Sequence, residues 1–153
     1  MRKRITPSIS VRGPLESAQW IDLEGLAEIE VTSEDPNHTI EAALLPGSGS
    51  GWRAAENGKQ TIRVTFDNPQ DLYLIHVVFT EDKLTRTQEF VLRAGFDLAT
   101  VRDVVRQQYN FTPVSSEVED YNVTLEGVRV IELEIVPSLS GDGIASLAEL
   151  RFR

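Results

Sequence analysis

The chain has 153 residues, 41% of them hydrophobic and 25% charged, enough for one domain that buries roughly two thirds of the surface its unfolded form exposes, with no disulfide or metal needed to hold it. No stretch approaches the ~20 apolar residues of a membrane span, and the absence of cysteine removes thiol nucleophiles, disulfides and thiolate metal sites together. Fifteen basic against twenty-four acidic residues give a net charge of -9, which repels a phosphate backbone, so neither a nucleic-acid nor a membrane partner is expected.

Residues 1 to 19 carry Pro7, Gly13 and Pro14 without periodicity and read as an extended arm, with a single domain over 20 to 153. Met1-Arg2-Lys3-Arg4 has no apolar stretch behind it, so no secretory signal is expected and a cytoplasmic location follows. From Leu26 the alternation of Ala27, Ile29 and Val31 with Glu28, Glu30 and Thr32 predicts a strand with one wet face. A turn cluster at 33 to 38 leads into one helical turn within Thr39 to Leu45. The tract Pro46-Gly47-Ser48-Gly49-Ser50-Gly51 lacks the Lys-Ser/Thr and long helix of a phosphate loop and reads as a surface loop.

Further strands are predicted over 61 to 66, 72 to 79 after an Asn68-Pro69 turn, 88 to 93, 101 to 109, 118 to 125, 130 to 136 and 145 to 152. Eight strands with hardly any helix predict an all-β, antiparallel two-sheet sandwich. The segment Leu72 to Phe79 is apolar on both sides, which calls for a cover over Leu72, Leu74, His76 and Val78; the arm with Trp20 or a second subunit would supply it, in a monomer or a homodimer respectively.

Candidate chemistry is sparse. The two histidines, His38 in a turn and His76 in a strand, form no triad or zinc set. The pairs Glu117/Glu119 and Glu132/Glu134 lie about 7 Å apart on a strand, near the spacing of glycosidase carboxylates, but alternating glutamates ordinarily build a solvated sheet face with nothing to raise a pKa. No enzyme is therefore expected. Sugar recognition needs an aromatic platform and planar polar side chains, and the run Arg106-Gln107-Gln108-Tyr109-Asn110-Phe111 supplies both types. The alternative is that Tyr109 and Phe111 plug the core while Arg106 and Gln108 pair across the sheet. The expected ligand set is Arg106, Gln108, Tyr109 and Asn110, with Arg86 and Arg53 beside them.

The run Gly51-Trp52-Arg53-Ala54-Ala55, the strand "TIRVTF", the proline turn, "LYLIHVVF" and the closing "ASLAELRF" together resemble the discoidin or coagulation-factor type C domain. That family belongs to the galactose-binding-domain-like superfamily, which includes many carbohydrate-binding modules, and the likeness spans about residues 20 to 153. It implies a jelly roll and a non-catalytic binding module that recognises carbohydrate or a glycosylated molecule through loops at one end. A protein-protein adaptor using an exposed sheet face is the alternative. The segment "VTSEDPNHTIEAALL" is similar to the family's stretch before the tryptophan. Members with a structural calcium place an Asp-Gly pair in that loop and a glutamate on the last strand; Glu149 matches the glutamate and is the one calcium candidate, while Pro46-Gly47 and the serine-glycine tract replace the acid. No cofactor is otherwise implied. "GWRAAENGKQTI" is also similar to the N-terminal domain of the X-ray repair cross-complementing scaffold protein, which has the same fold, and "RTQEF" and "RQQYNF" resemble small stand-alone bacterial proteins of this architecture.

Overall fold

A computed structural model describes residues 20 to 47 and 49 to 153, so the arm over 1 to 19 lies outside the described residues. The elements in chain order are a helical turn α1 (Leu23–Leu26), β1 (Ala27–Val31), a second helical turn α2 (Glu41–Leu44), β2 (Trp52–Asn57), β3 (Gln60–Glu81), β4 (Arg86–Gly95), β5 (Arg102–Phe111), β6 (Ser115–Val136), β7 (Ile144–Leu147) and β8 (Glu149–Phe152). All pairings are antiparallel. Among the described residues no helix is long and apolar enough to cross a membrane.

Two strands of 22 residues each, β3 and β6, organise the molecule. Their ladder slips between Thr65 and Leu74, and there both change partners. The first half of β3 lies between β1 and the second half of β6, which continues to β4 and β5. The second half of β3 lies between β8 and the first half of β6. One layer is thus five-stranded and the other three-stranded, with β2 and β7 paired separately. Aromatic rings join the layers: Phe79 meets Phe90 at 5.0 Å between centroids, and Phe66 meets Phe152 edge-on at 6.1 Å. Ile62, Val64, Ile75, Val77, Leu133, Ile135 and Leu150 fill the space between, each 1% exposed or less.

The predicted class holds, but the strand divisions change. Asn68-Pro69 makes no hairpin turn: Pro69 sits exposed at the slip, where its missing N–H breaks no ladder bond, and the strand runs through. The predicted strands 118 to 125 and 130 to 136 likewise form one, the predicted 145 to 152 divides at Ala148, and the strand Trp52–Asn57 was not predicted.

The slip also answers the doubly apolar segment. It turns Leu72 onto the core side at 0% exposure, so Leu72 needs no cover. On the outer side Trp20 lies over His76 at 5.6 Å between centroids, Leu74 is 6% exposed and Val78 is partly buried.

The outer face of the five-stranded layer is a charge ladder. It runs from Glu30 to Arg63 (3.3 Å) and Glu132 (2.9 Å). Beside it, Glu134 and Asp103 hold Arg93 at 3.2 and 3.0 Å. Burial tends to lower the Arg93 pKa, but these two carboxylates outweigh it and raise it. Each such exposed pair is worth about 0–1 kcal/mol, so the ladder sets strand register more than it adds stability.

Candidate functional site

A cleft of about 500 Å3 is formed by the start of β2, the turn between β3 and β4, and β7. Its floor includes Trp52 and Leu147, each 1% exposed. Trp52 is locked into the core, its indole Nε1 donating to the Ser33 carbonyl at 3.0 Å, and is no ring-binding platform. The approach of β2 to β7 depends on Gly51: its φ is +105°, and a Cβ there would lie 2.6 Å from the Leu147 carbonyl oxygen.

One wall is the β3–β4 turn, built around Glu81. Its carboxylate accepts from Arg86 Nε at 2.5 Å and from the backbone N–H groups of Lys83 and Leu84 at 2.9 and 3.1 Å. Burial works to raise the Glu81 pKa, but these donors and the Arg86 charge prevail and hold it below the ordinary carboxylate value. Arg86 is tied on several sides: it also donates to Gln88 Oε1 and the Pro137 carbonyl, both at 2.8 Å, and lies 4.6 Å above the Phe111 ring. By contrast, the side chains of His38, Arg53, Asp82 and Lys83, which also line the cleft, make no hydrogen bond or ion pair with other described residues. Leu84 (57% exposed) and Ile144 (39%) add apolar surface. The cleft therefore offers unspent charged and polar groups around apolar patches, on elements fixed by buried neighbours.

Of the residues expected from sequence, Arg53 and Arg86 come together in this cleft; the other four lie on β5, at the edge of the five-stranded layer. Arg106 and Gln108 are on its outer face, bonded to Glu89 at 2.6 and 3.1 Å, with Arg106 also 3.3 Å from Asp103. The Gln108 hydrogen bond is the main cause that lowers the Glu89 pKa, with Arg106 adding to it against a smaller effect of burial. Asn110 Oδ1 accepts from Thr87 at 2.6 Å. Tyr109 is on the opposite face, edge-on to the buried Phe111 at 4.7 Å. Arg106 and Tyr109 therefore do not line one cleft. His38, Asp82 and Lys83 were not expected as site residues, because they sit in turns that meet along the cleft only in the folded chain.

The calcium candidate can be tested against its surroundings. Glu149 points to the outer face, 3.1 Å from His76 Nε2, whose other ring nitrogen is 2.6 Å from Asp120. The Ala43 carbonyl of α2 accepts instead from the guanidinium of Arg151, a residue 8% exposed, which also donates to the Leu150 carbonyl at 3.1 Å. Burial lowers the Arg151 pKa, with Glu149 partly offsetting it. A dication needs six or more oxygens, whereas here a buried monocation already holds one of the few on offer, so the donor set does not fit calcium.

The carboxylate pair at 117 and 119 is not on a wet face. Tyr121, Val123 and Leu125 pack toward the core, and the two-residue period carries Glu117 inward with them, to 7% exposure, while Val118 faces water at 58%. Burial first, then the charge and hydrogen bond of Glu119, raise the Glu117 pKa to about 7. Its Oε2 and the Tyr121 hydroxyl are buried without a partner among the described residues. Glu117 is thus a buried acid beside a partly exposed Glu119.

No family model and no curated protein matches the chain. Solved structures do. A family 32 carbohydrate-binding module from Clostridium perfringens NanJ, solved with galactose, has a TM-score of 0.61 at 14% identity over 82% of this chain and 92% of that one. The family 32 module of AlyQ, solved with 4,5-unsaturated mannuronic acid, has 0.60 at 18% over 82% and 93%. Allantoicase from Saccharomyces cerevisiae has 0.57 at 17%, over 82% of this chain but 39% of that one. The fold is thus the galactose-binding-domain-like sandwich, as the discoidin resemblance implies.

Proposed function

We propose that this protein is a non-catalytic carbohydrate-binding module whose ligand enters the cleft between β2, the β3–β4 turn and β7. The observation that carries this reading is the set of unspent side chains, Arg53, Lys83, Asp82 and His38, beside the apolar Leu84 and Ile144. Charged planar and ammonium groups bond vicinal hydroxyls, and apolar side chains take the C–H face of a ring. Support comes from the fold, shared with modules solved with galactose and with an unsaturated mannuronic acid. An adaptor would instead use the outer face of the five-stranded layer around Arg106, whose side chain is 54% exposed, since Leu72 and Leu74 are buried.

A glycan array followed by calorimetry on the best binder tests the proposal. Arg53→Ala and Lys83→Ala are each expected to weaken binding about tenfold, the usual scale for one charged hydrogen bond, with unchanged melting curves. Loss on Arg106→Ala instead would move the site to the outer face of β5, and no glycan bound at millimolar concentration would end the carbohydrate reading.

A further inference from the structure

Between β4 and β5 the chain passes through a turn held by its own hydrogen bonds. The N–H groups of Phe96 and Asp97 donate to Thr100 Oγ1 at 3.2 and 3.0 Å, and that of Ala99 donates to Asp97 Oδ1 at 3.0 Å. Gly95 allows the closure, since a Cβ there would lie 2.7 Å from the Val101 nitrogen and 2.8 Å from the Thr100 carbonyl. A turn fixed in this way keeps Phe96 53% and Leu98 55% exposed without support from elsewhere. Both line a shallow groove of about 480 Å3 on the five-stranded layer, separate from the cleft, with Thr65, Val130 and Arg129.

The charges around this groove are partly spent. Arg63 serves Glu30 and Glu132, and Asp97 Oδ1 bonds within its own turn. Arg129 differs. Its Nε donates to the Phe66 carbonyl at 3.3 Å, its guanidinium carbon lies 5.9 Å from the centre of the Phe96 ring, and its two terminal nitrogens have no partner among the described residues. A half-exposed aromatic ring thus carries a planar cation over one face, and the terminal edge of that cation is free. A carboxylate fits that edge, and the C–H face of a sugar ring fits Phe96. A neutral sugar would leave the guanidinium edge unpaired, and a bare inorganic anion would leave Phe96 and Leu98 in water.

We propose that the Phe96–Arg129 groove is a second ligand site, and that it takes a carboxylate-bearing sugar ring of the hexuronate type. Calorimetry with trigalacturonate and with its methyl ester, which keeps the rings and removes the charge, is the test. The acid is expected to bind and the ester to bind at least about tenfold more weakly. Phe96→Ala and Arg129→Gln are each expected to weaken the acid by a similar factor, and Arg129→Lys to retain part of the affinity. Should Arg129→Gln lower the melting temperature, the surface variant Phe96→Ala decides. Failure of the wild-type protein to bind the acid at millimolar concentration would overturn the proposal, as would equal binding of acid and ester. Loss on Arg53→Ala rather than on Phe96→Ala would also overturn it, by placing the acid in the cleft.

Discussion

Glu117 is a carboxyl group held against its own chemistry. Three apolar neighbours at two-residue spacing fix the side of β6 that faces inward, and a one-residue slip would bury Asp120, Asn122 and Thr124 instead, so the strand accepts one buried acid. The consequence is a pH dependence of known sign. With the folded pKa raised from 4.5 to about 7, the folded protein takes up a proton that the unfolded chain does not, so this contribution is intact below about pH 4.5 and is lost as pH rises through about 7. Glu117→Gln should therefore melt higher than wild type at pH 8, with the gap closing toward pH 4.5. Water at the partly exposed Glu119 screens the pair, so the gap at pH 8 should be about 1–2 kcal/mol. Parallel melting profiles across that range would refute the assignment. The signal was in the alternation, since Glu117 shares its phase with Tyr121, Val123 and Leu125, but glutamates at two-residue spacing ordinarily mark a wet face. Trp52 opens the run that resembles the discoidin frame and is buried; Lys83 and Asp82 were not legible as candidate site residues, because their turn meets β2 and β7 only in the folded chain.

At the scale of elements, the join between α2 and β8 rests on a guanidinium. Arg151 ties the last strand to the Ala43 carbonyl, and the cost of burying its charge makes that bond necessary. Calcium or a chelator should leave the melting temperature unchanged, while Arg151→Met should lower stability by roughly 1–3 kcal/mol by leaving the carbonyl unpaired. A calcium-dependent rise in melting temperature would contradict this. The elements themselves were largely readable: β1 from its alternation, α2 from its apolar spacing. The lengths of β3 and β6 were not, because Asn68-Pro69 and Gly127 have the composition of turns, and a slip that keeps a strand running through such residues arises only when both strands meet across it.

For the molecule as a whole, the turns differ in what they carry. Val114, between β5 and β6, is 86% exposed and has a φ of +56°, and a break there interrupts no ladder. Asn68 is also exposed, yet it lies within a strand that both layers use. A circular permutant opened at Val114 should therefore fold with a cooperative melt close to that of the parent, whereas one opened at Asn68 should lose cooperativity or fail to fold. Equal tolerance of the two openings would show that the bend matters less than its continuity suggests.

The same continuity bears on how the protein meets a ligand. Two sheets stitched by uninterrupted strands have no hinge between them, so a bound molecule finds the scaffold already in shape. At the two proposed sites the entropy lost on association would then fall on a few free side chains, Arg53 and Lys83 in the cleft and the terminal nitrogens of Arg129 in the groove, rather than on the backbone.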